Sequence, residues 1–377
     1  MSDDSQLGTV NLNREANTAK ANFSGSPANI KVIGLGGSGG NTVTRMVREE
    51  VRGAEFITMN TDSQSLVLSE APIRIQLGRT LTKGLGAGGD HILGRKAAEE
   101  SRDEIAEVIS GADLVFITCG MGGGTGTGAA SFVAEIARKS NILTIAVVSK
   151  PFTFEGQHRY KVAEMGIIDL FRKVDTLIII PNDRLLALCD QNIGVDEAFR
   201  MADDVLKRSI LAITEVLNTP GIINLDFADI RAIMKDAGPA WTSIGIGSGP
   251  DRAVKAAQSA LASPLLDVSI NGATGVLFNV VGNNLTLYEI DEAAELIKQA
   301  VDPEANIIFG VAIDPNMDDN EMKVTLIATG FVDKNELTSG RDNEELAKLL
   351  ISSKQSEDML DIPSFLNDTT LSQQLQD

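Results

Sequence analysis

Cysteine and histidine are almost missing from this chain of 377 residues, with two of each. Cys119 and Cys189 cannot build a disulfide framework, and no CxxC spacing occurs. His91 and His158 belong to no Cys/His cluster with metal-ligand spacing, so no Cys/His metal centre is expected. Aromatic residues make up only 4% of the chain, and Trp241, the single tryptophan, is given no role. No apolar run approaches the roughly 18 residues of a membrane-spanning helix, and the N-terminus lacks a signal-peptide apolar core. A cytoplasmic protein without direct membrane insertion is therefore expected. Positive charge is scarce as well: 33 Lys and Arg stand against 52 Asp and Glu, a formal net charge of −19. A surface that acidic repels nucleic acid and anionic membrane, which argues against both as direct partners. Anionic phosphates would then have to be held by backbone dipoles and a few placed cations.

Glycine is what the chain has in quantity, 35 residues, many of them clustered. With 43% hydrophobic and 23% charged residues, the composition is that of a soluble globular protein of two to three domains. Residues 1–28 are polar, without sustained periodicity, and read as a disordered extension. From residue 30 onward short β-like runs alternate with helical ones: 30–35, then 41–52; 55–60; 74–77; 91–109, then 112–119; 129–139, then 143–149; and a further β-like run at 176–180. Alternation of this kind predicts an α/β fold with a doubly wound, mostly parallel sheet over 29–195. Asp196 is a plausible N-cap for a long helix (196–221), along which Phe199, Ala202, Leu206, Ile210, Ile213 and Leu217 recur at helical spacing. The order then changes to helical 252–262, β-like 275–281, helical 289–301 and β-like 306–313 and 322–331, which predicts a second, smaller α+β domain over 222–331. A linker (332–358), with a short helix at 343–352, leads to a tail (359–377).

Two glycine loops follow different strands of the predicted sheet, so both point at one carboxyl edge. The first, Gly34-Leu35-Gly36-Gly37-Ser38-Gly39-Gly40-Asn41, matches GxGxxG, with Asp62 some twenty residues on. Alone it would fit an NAD-dependent oxidoreductase. The second, Gly122-Gly123-Gly124-Thr125-Gly126-Thr127-Gly128, lies between an apolar run and a helical run, and combines open backbone, hydroxyls and a helix N-terminus. Neither ends in the Gly-Lys-Ser/Thr of a Walker loop. A dinucleotide needs one such loop; two facing loops suit a nucleoside di- or triphosphate. A third stretch, 84–90, either reaches the terminal phosphate or is an ordinary turn.

The second loop resembles the signature of the tubulin/FtsZ superfamily, and residues 30–331 resemble its bacterial cell-division branch. The other matching residues are the first loop, Asn60-Thr61-Asp62, Lys150-Pro151-Phe152-Thr153-Phe154-Glu155-Gly156, Pro181-Asn182-Asp183 and Asn224-Leu225-Asp226-Phe227-Ala228-Asp229. The resemblance implies a tubulin-like, polymerising GTPase of the midcell division ring. GTP or GDP would be held by Gly36, Gly37, Ser38, Gly39, Gly40 and Asn41, by Asn60, Asp62, Ala87 and Gly88, and by Gly120, Gly123, Gly124, Thr125, Gly126 and Thr127. It places Glu155 near the ribose, Arg159 near the phosphates, and Asn182, Phe199 and Asp203 in the same site, with Mg2+ riding on the phosphates. At the position of Asp203 the family reads guanine, whose N1–H and N2 amino group offer a carboxylate two parallel donors. Phe199, one turn earlier, covers the base or packs in the core. For Asp203 the alternative is a solvated helix face, and for Glu155 and Arg159 a surface ion pair. Two departures stand out: Ser38 where glycine is usual, and Gly89-Asp90 where Ala-Asn is common.

Asn224, Asp226 and Asp229 follow the C-terminal end of the long helix, whereas Asp203 lies near its start. A helix length of about 25–30 Å separates them, so these residues reach a nucleotide only if subunits stack head to tail. Asp226 and Asp229 would then orient the attacking water and help hold the cation, with Asn224 supporting the loop. The alternative is an Asx-type turn opening a helix. A nucleotide-binding scaffold without useful hydrolysis is the other reading of the whole. Residues 360–366 resemble the peptide by which the family docks onto membrane-tethering and regulatory proteins, although here the chain runs on without a basic residue after Leu366; a tail helix folding back on the body is the alternative.

Overall fold

The computed structural model describes residues 28–186, 193–218, 221–223, 225–262 and 272–331. The expected N-terminal extension up to residue 27, Cys189, residues 219–220 at the expected end of the long helix, Asn224, the linker with its helix at 343–352, and the tail with 360–366 lie outside the described residues.

The first half runs β1 (Ile30–Leu35), α1 (Gly36–Arg48), β2 (Glu55–Asn60), α2 (Ser63–Leu68), β3 (Ile73–Gln76), α3 (Arg79–Thr82), α4 (His91–Glu100) and α5 (Arg102–Ile109). It continues with β4 (Leu114–Gly120), α6 (Thr125–Lys139), β5 (Leu143–Lys150), α7 (Gln157–Phe171), β6 (Thr176–Pro181) and α8 (Asn182–Leu186). The long α9 (Val195–Asn218) leads to α10 (Phe227–Met234), β7 (Gly238–Ser248), α11 (Arg252–Leu261), β8 (Gly275–Gly282), α12 (Leu287–Gln299), β9 (Asn306–Ile313) and β10 (Glu321–Thr329).

One sheet of ten strands, in the order β3-β2-β1-β4-β5-β6-β7-β10-β8-β9, carries both halves. β1 to β6 are all parallel, and β10 pairs antiparallel with β7 and β8. β1, β4, β5 and β6 read as largely apolar runs because helices bury both their faces. Side chains alternate across each strand. Ile30 and Val32 of β1 therefore join Val43 and Met46 of α1 and Leu206, Ile210 and Ile213 of α9, while Ile33 and Leu35 join Ala129, Phe132 and Val133 of α6 and Ile167 and Phe171 of α7. A third core under β8 and β10 is filled by small residues of α11 (Ala253, Ala256, Ala257, Ala260) and by Ala293 and Ile297 of α12.

Four readings of the sequence need correction. The first helix starts at Gly36, not residue 41, and α6 starts at Thr125, not 129, so the later residues of each glycine loop form a first helical turn. The expected helix 91–109 divides at Ser101, whose Oγ accepts the Gly78 N–H at 3.1 Å. Asp196 sits inside the first turn of α9, where a carboxylate still suits the helix dipole. Strand β7 was not anticipated at all.

Candidate nucleotide site

Strand order β3-β2-β1-β4-β5-β6 puts the topological switch point between β1 and β4, where open α/β sheets bind ligands at the carboxyl edge. That order is shared with dinucleotide-binding folds, so topology alone leaves the choice open. The loops decide it. Gly36 has φ +68°, and a Cβ there would come within 3.1 Å of Gly126 N, so the first loop and the second are in backbone contact. Helices α1 and α6 aim their N-termini at this point, and neither has an acidic residue in its first turn. Two positive helix ends and a set of free N–H groups make a strong anion cradle without a lysine. This is how a chain of net charge −19 can hold phosphates.

Hydroxyls tie the cradle together. Thr125 and Thr61 share a hydrogen bond of 2.6 Å between their Oγ1 atoms, and Thr127 Oγ1 accepts the Gly122 N–H at 2.9 Å. Thr127 is buried and acts inside the loop as its clasp. A hollow of about 490 Å³ is lined by Gly36, Gly37, Gly40, Asn41, Arg45 and Asn60 among others. A second, of about 760 Å³, is lined by Gly88, Gly123, Gly124, Glu155 and Arg159 together with His158. At Gly37, Gly88 and Gly123 a Cβ would meet nothing within 4 Å, so these backbone units face open space. Ala87 is buried against the cradle, and the third stretch ends in Asp90, which caps α4 by accepting from Ile92 N and Leu93 N. Asp62 likewise caps α2, and the Ser65 hydroxyl bonded to it holds its carboxyl below the ordinary range.

The third wall comes from β5, β6 and α9. Glu155 accepts the Phe152 N–H and pairs with Arg159 at 3.1 Å; its side chain is buried while that of Arg159 is half exposed. The i, i+4 pair thus exists, and it borders the 760 Å³ hollow. Phe152 and Phe154 stack at 5.0 Å, and Phe199 meets both edge-on at 5.4 and 6.3 Å. Phe199 remains 38% exposed, which departs from core packing. Asn182 is buried, and its Oδ1 has no hydrogen-bond partner among the described residues. A buried amide oxygen left unpaired costs on the order of 1–3 kcal/mol, which a ligand donor would relieve. Asp203 is also buried, with Ser38 Oγ donating to its Oδ1 at 3.1 Å and Arg45 Nη2 at 3.7 Å from Oδ2. Burial pushes its carboxyl up to about 6, against the opposing pull of Arg45 and Ser38. The solvated-face alternative for Asp203 therefore does not hold. The sequence does not single out Arg45; its one signal is its place one turn after Asn41, in a helix that starts at Gly36.

Lys150, in the Lys-Pro-Phe motif, ends β5 and is buried. It donates to Tyr160 Oη at 2.9 Å, and burial lowers it to about 8. Asp226 and Asp229 are not in the pocket of their own chain. They form a reciprocal capping box at the start of α10, each accepting the other's backbone N–H at 2.9 and 3.0 Å. Asp226 is exposed and Asp229 partly so, and each keeps one carboxylate oxygen outside the box. The turn-opening-a-helix reading is thus correct as local structure, and it leaves the outward oxygens available.

Comparison with known proteins agrees with this geometry. A family model described as the Tubulin/FtsZ family, GTPase domain, matches residues 29–190, and one for the FtsZ family, C-terminal domain, matches 238–332. Among solved structures, an empty FtsZ dimer from M. jannaschii is 44% identical over 82% of this chain and 92% of that chain, with a TM-score of 0.77. A tryptophan-to-tyrosine mutant of FtsZ from M. jannaschii is 44% identical over 82% and 94%, with a TM-score of 0.76. CetZ1 from Haloferax volcanii, in its GDP-bound monomer, is 20% identical over 86% and 98% at a TM-score of 0.70, a likeness of fold alone. Two facing glycine loops at the switch point of one sheet, and relatives that match along both halves, assign the chain to the FtsZ family of tubulin-like GTPases.

Proposed function

We propose that this chain hydrolyses GTP in head-to-tail filaments of the cell-division ring, each active site being completed by the next subunit. The observation that carries the proposal is the separation of its two chemical ends. From Asp203 to Asn218 α9 spans about 22 Å, and Asp226 and Asp229 follow beyond it with outward-facing carboxylate oxygens. A contact that joins this end to the nucleotide face of another copy is heterologous and builds an open filament. Exposed apolar side chains at both ends suit such a contact, Leu81, Leu85 and Phe154 at the nucleotide end and Ile222 and Ile223 at the other. The relative described as an FtsZ dimer fits self-association.

In this reading Gly36 to Asn41, Asn60, Asp62, Ala87, Gly88, Gly120 and Gly123 to Thr127 surround the phosphates and sugar. Glu155 and Arg159 bind ribose and phosphate, while Phe199, Asn182 and Asp203 bind guanine. Asp226 and Asp229 of the neighbour orient a water in line with the terminal phosphoryl group, and Asn224 supports them. Phosphoryl transfer is accelerated mainly by positioning and electrostatics, so assembly itself switches the site on. Among the described residues no cluster of three or more acidic, Cys or His side chains could hold a metal, and Asp62 and Asp90 are engaged as caps. The free carboxylate oxygens of Asp226 and Asp229 are hard donors that suit Mg2+ carried on the neighbour's phosphates; they would help hold the ion, which would neutralise phosphate charge. The peptide 360–366 would dock onto tethering and regulatory proteins at midcell in the cytoplasm.

Phosphate release per subunit, measured from dilute to concentrated protein, tests the shared site. The rate should rise steeply with concentration, and a constant rate would overturn the mechanism. Asp229→Ala should keep GTP binding and lose hydrolysis at least about 100-fold. Lost binding would assign the aspartate to its own subunit's pocket instead. Undiminished partner capture after deletion of the last 20 or so residues would remove the docking role.

A further inference from the structure

We propose that Ser38 sets the base selectivity of this pocket by keeping Asp203 ionised. The proposal rests on the reading of Asp203 as the carboxylate that meets guanine. Ser38 stands in the first turn of α1 and sends its hydroxyl across to α9, where it donates to Asp203 Oδ1 at 3.1 Å. Among the described residues it is the one hydrogen-bond donor on that carboxylate. Arg45 adds charge at 3.7 Å, beyond hydrogen-bond length, and itself donates to the Arg200 carbonyl.

The proton on Asp203 decides which base it can pair with. An ionised carboxylate only accepts, which matches the adjacent N1–H and N2–H donors of guanine. A protonated one has one donor and one acceptor, which mismatches guanine and matches the N1 acceptor and N6 donor of adenine. Burial brings the two forms close in energy near neutrality, with the carboxyl raised to about 6, so one donor suffices to tip the balance.

The remaining surroundings do not supply that donor. On α9 itself, Lys207 is held at 2.6 Å by both Glu49 and Asp204, and Arg208 by Asp204. β4, β5 and β6 turn Phe116, Val147 and Ile180 to the α9 face. β7 has no ionisable residue, and on α8 Asp183 accepts from Thr153 beside Arg184. Hydrogen bonding to the charged form, from a residue that carries no charge of its own, is therefore the contribution specific to Ser38. It is a positioning residue that acts through Asp203.

The test is GTP and ATP binding to the full chain by calorimetry between about pH 5.5 and 8.5, for the wild type, Ser38→Ala, Ser38→Gly and Asp203→Ala. Wild-type affinity for GTP should fall as pH drops through about 6. In both Ser38 variants the fall should occur about one pH unit higher, leaving GTP about fivefold weaker at pH 6 and the preference over ATP reduced. Ser38→Gly separates the hydroxyl from the Cβ, so matching profiles for the two variants assign the effect to the hydroxyl. Asp203→Ala removes the group altogether, and its profile reports the titration of the nucleotide phosphates alone. Ser38 profiles that overlay the wild type, while Asp203→Ala loses GTP, would overturn the proposal and leave the base reading standing. Unchanged GTP affinity in Asp203→Ala would overturn that reading, and the proposal with it.

Discussion

The two halves of the molecule each set a carboxylate beside an arginine, and they treat it in opposite ways. Glu289 of α12 is saturated. Arg252 donates to both its oxygens at 2.6 and 3.0 Å, and Thr286 adds its N–H and hydroxyl. The bond from Arg252, with the Thr286 donors, pulls Glu289 down to about 2. Asp203 of α9 has one hydroxyl donor and a loosely placed guanidinium, and burial lifts it to about 6. A saturated acid holds a structure together, whereas an undersupplied one stores affinity for a ligand that brings the missing donors. Arg252 shows what the saturated case achieves. Besides Glu289 it bonds the carbonyls of Asn283, Asn284, Asp319 and Glu321, and so clamps the turns at one end of the C-terminal half.

The largest effect that follows is on stability. Arg252→Ala leaves Glu289 and four carbonyls short of a buried partner and should cost about 3–5 kcal/mol in denaturant unfolding. GTP binding by the folded fraction should stay close to wild type; a loss of GTP affinity equal to that of Asp203→Ala would end the distinction between the halves.

Asp203→Asn should do the reverse. It removes an acid that is costly to bury when charged, and at pH 8 should raise stability of the nucleotide-free protein by about 1–3 kcal/mol, while guanine affinity collapses. The sign follows from the raised pKa. The contribution of Asp203 is fully present below its ordinary 3.8 and lost as pH rises through about 6. The advantage of the variant should therefore shrink between pH 6 and 4. Glu289, depressed from 4.5, behaves oppositely: its contribution is present above 4.5 and lost as pH falls toward 2. Melting temperatures of wild type, Asp203→Asn and Glu289→Gln across this range separate the two windows, and coincident windows would break the comparison.

Phe199→Ala gives the smallest effect. With the ring 38% exposed and edge-on to Phe152 and Phe154, stability should change by about 1 kcal/mol, against a loss of GTP affinity of about threefold to tenfold. A large stability loss with unchanged affinity would make Phe199 a core residue after all.

Strands of the first half were legible because they are buried on both faces: β1, β2 and the start of β5 fall where apolar runs fall. Helix starts at the two loops were not, because glycine disfavours helix interiors and was read as loop. β7 escaped for a related reason. Its Gly-Pro-Ala-Trp-Thr-Ser-Ile-Gly-Ile-Gly-Ser has poor strand propensity. Yet α11 lies so close on it that a Cβ at Gly245 would fall 2.0 Å from the Ala256 carbonyl oxygen, a packing need that no local pattern reveals.

For the site, the chain by itself determined which chemistry was available. Two glycine loops after parallel strands imply a phosphate cradle, and a scarcity of Cys, His and positive charge removes most other ways to hold one. These are local properties, set by backbone freedom and residue type. Only the tertiary structure decided which side chains meet: the α1–α9 contact of Ser38 and Arg45 with Asp203, far apart along the chain, the amide oxygen of Asn182 left unpaired among the described residues, and the placement of Asp226 and Asp229. Protonation and partnering depend on burial and on neighbours distant in sequence, and folding is what brings those neighbours together.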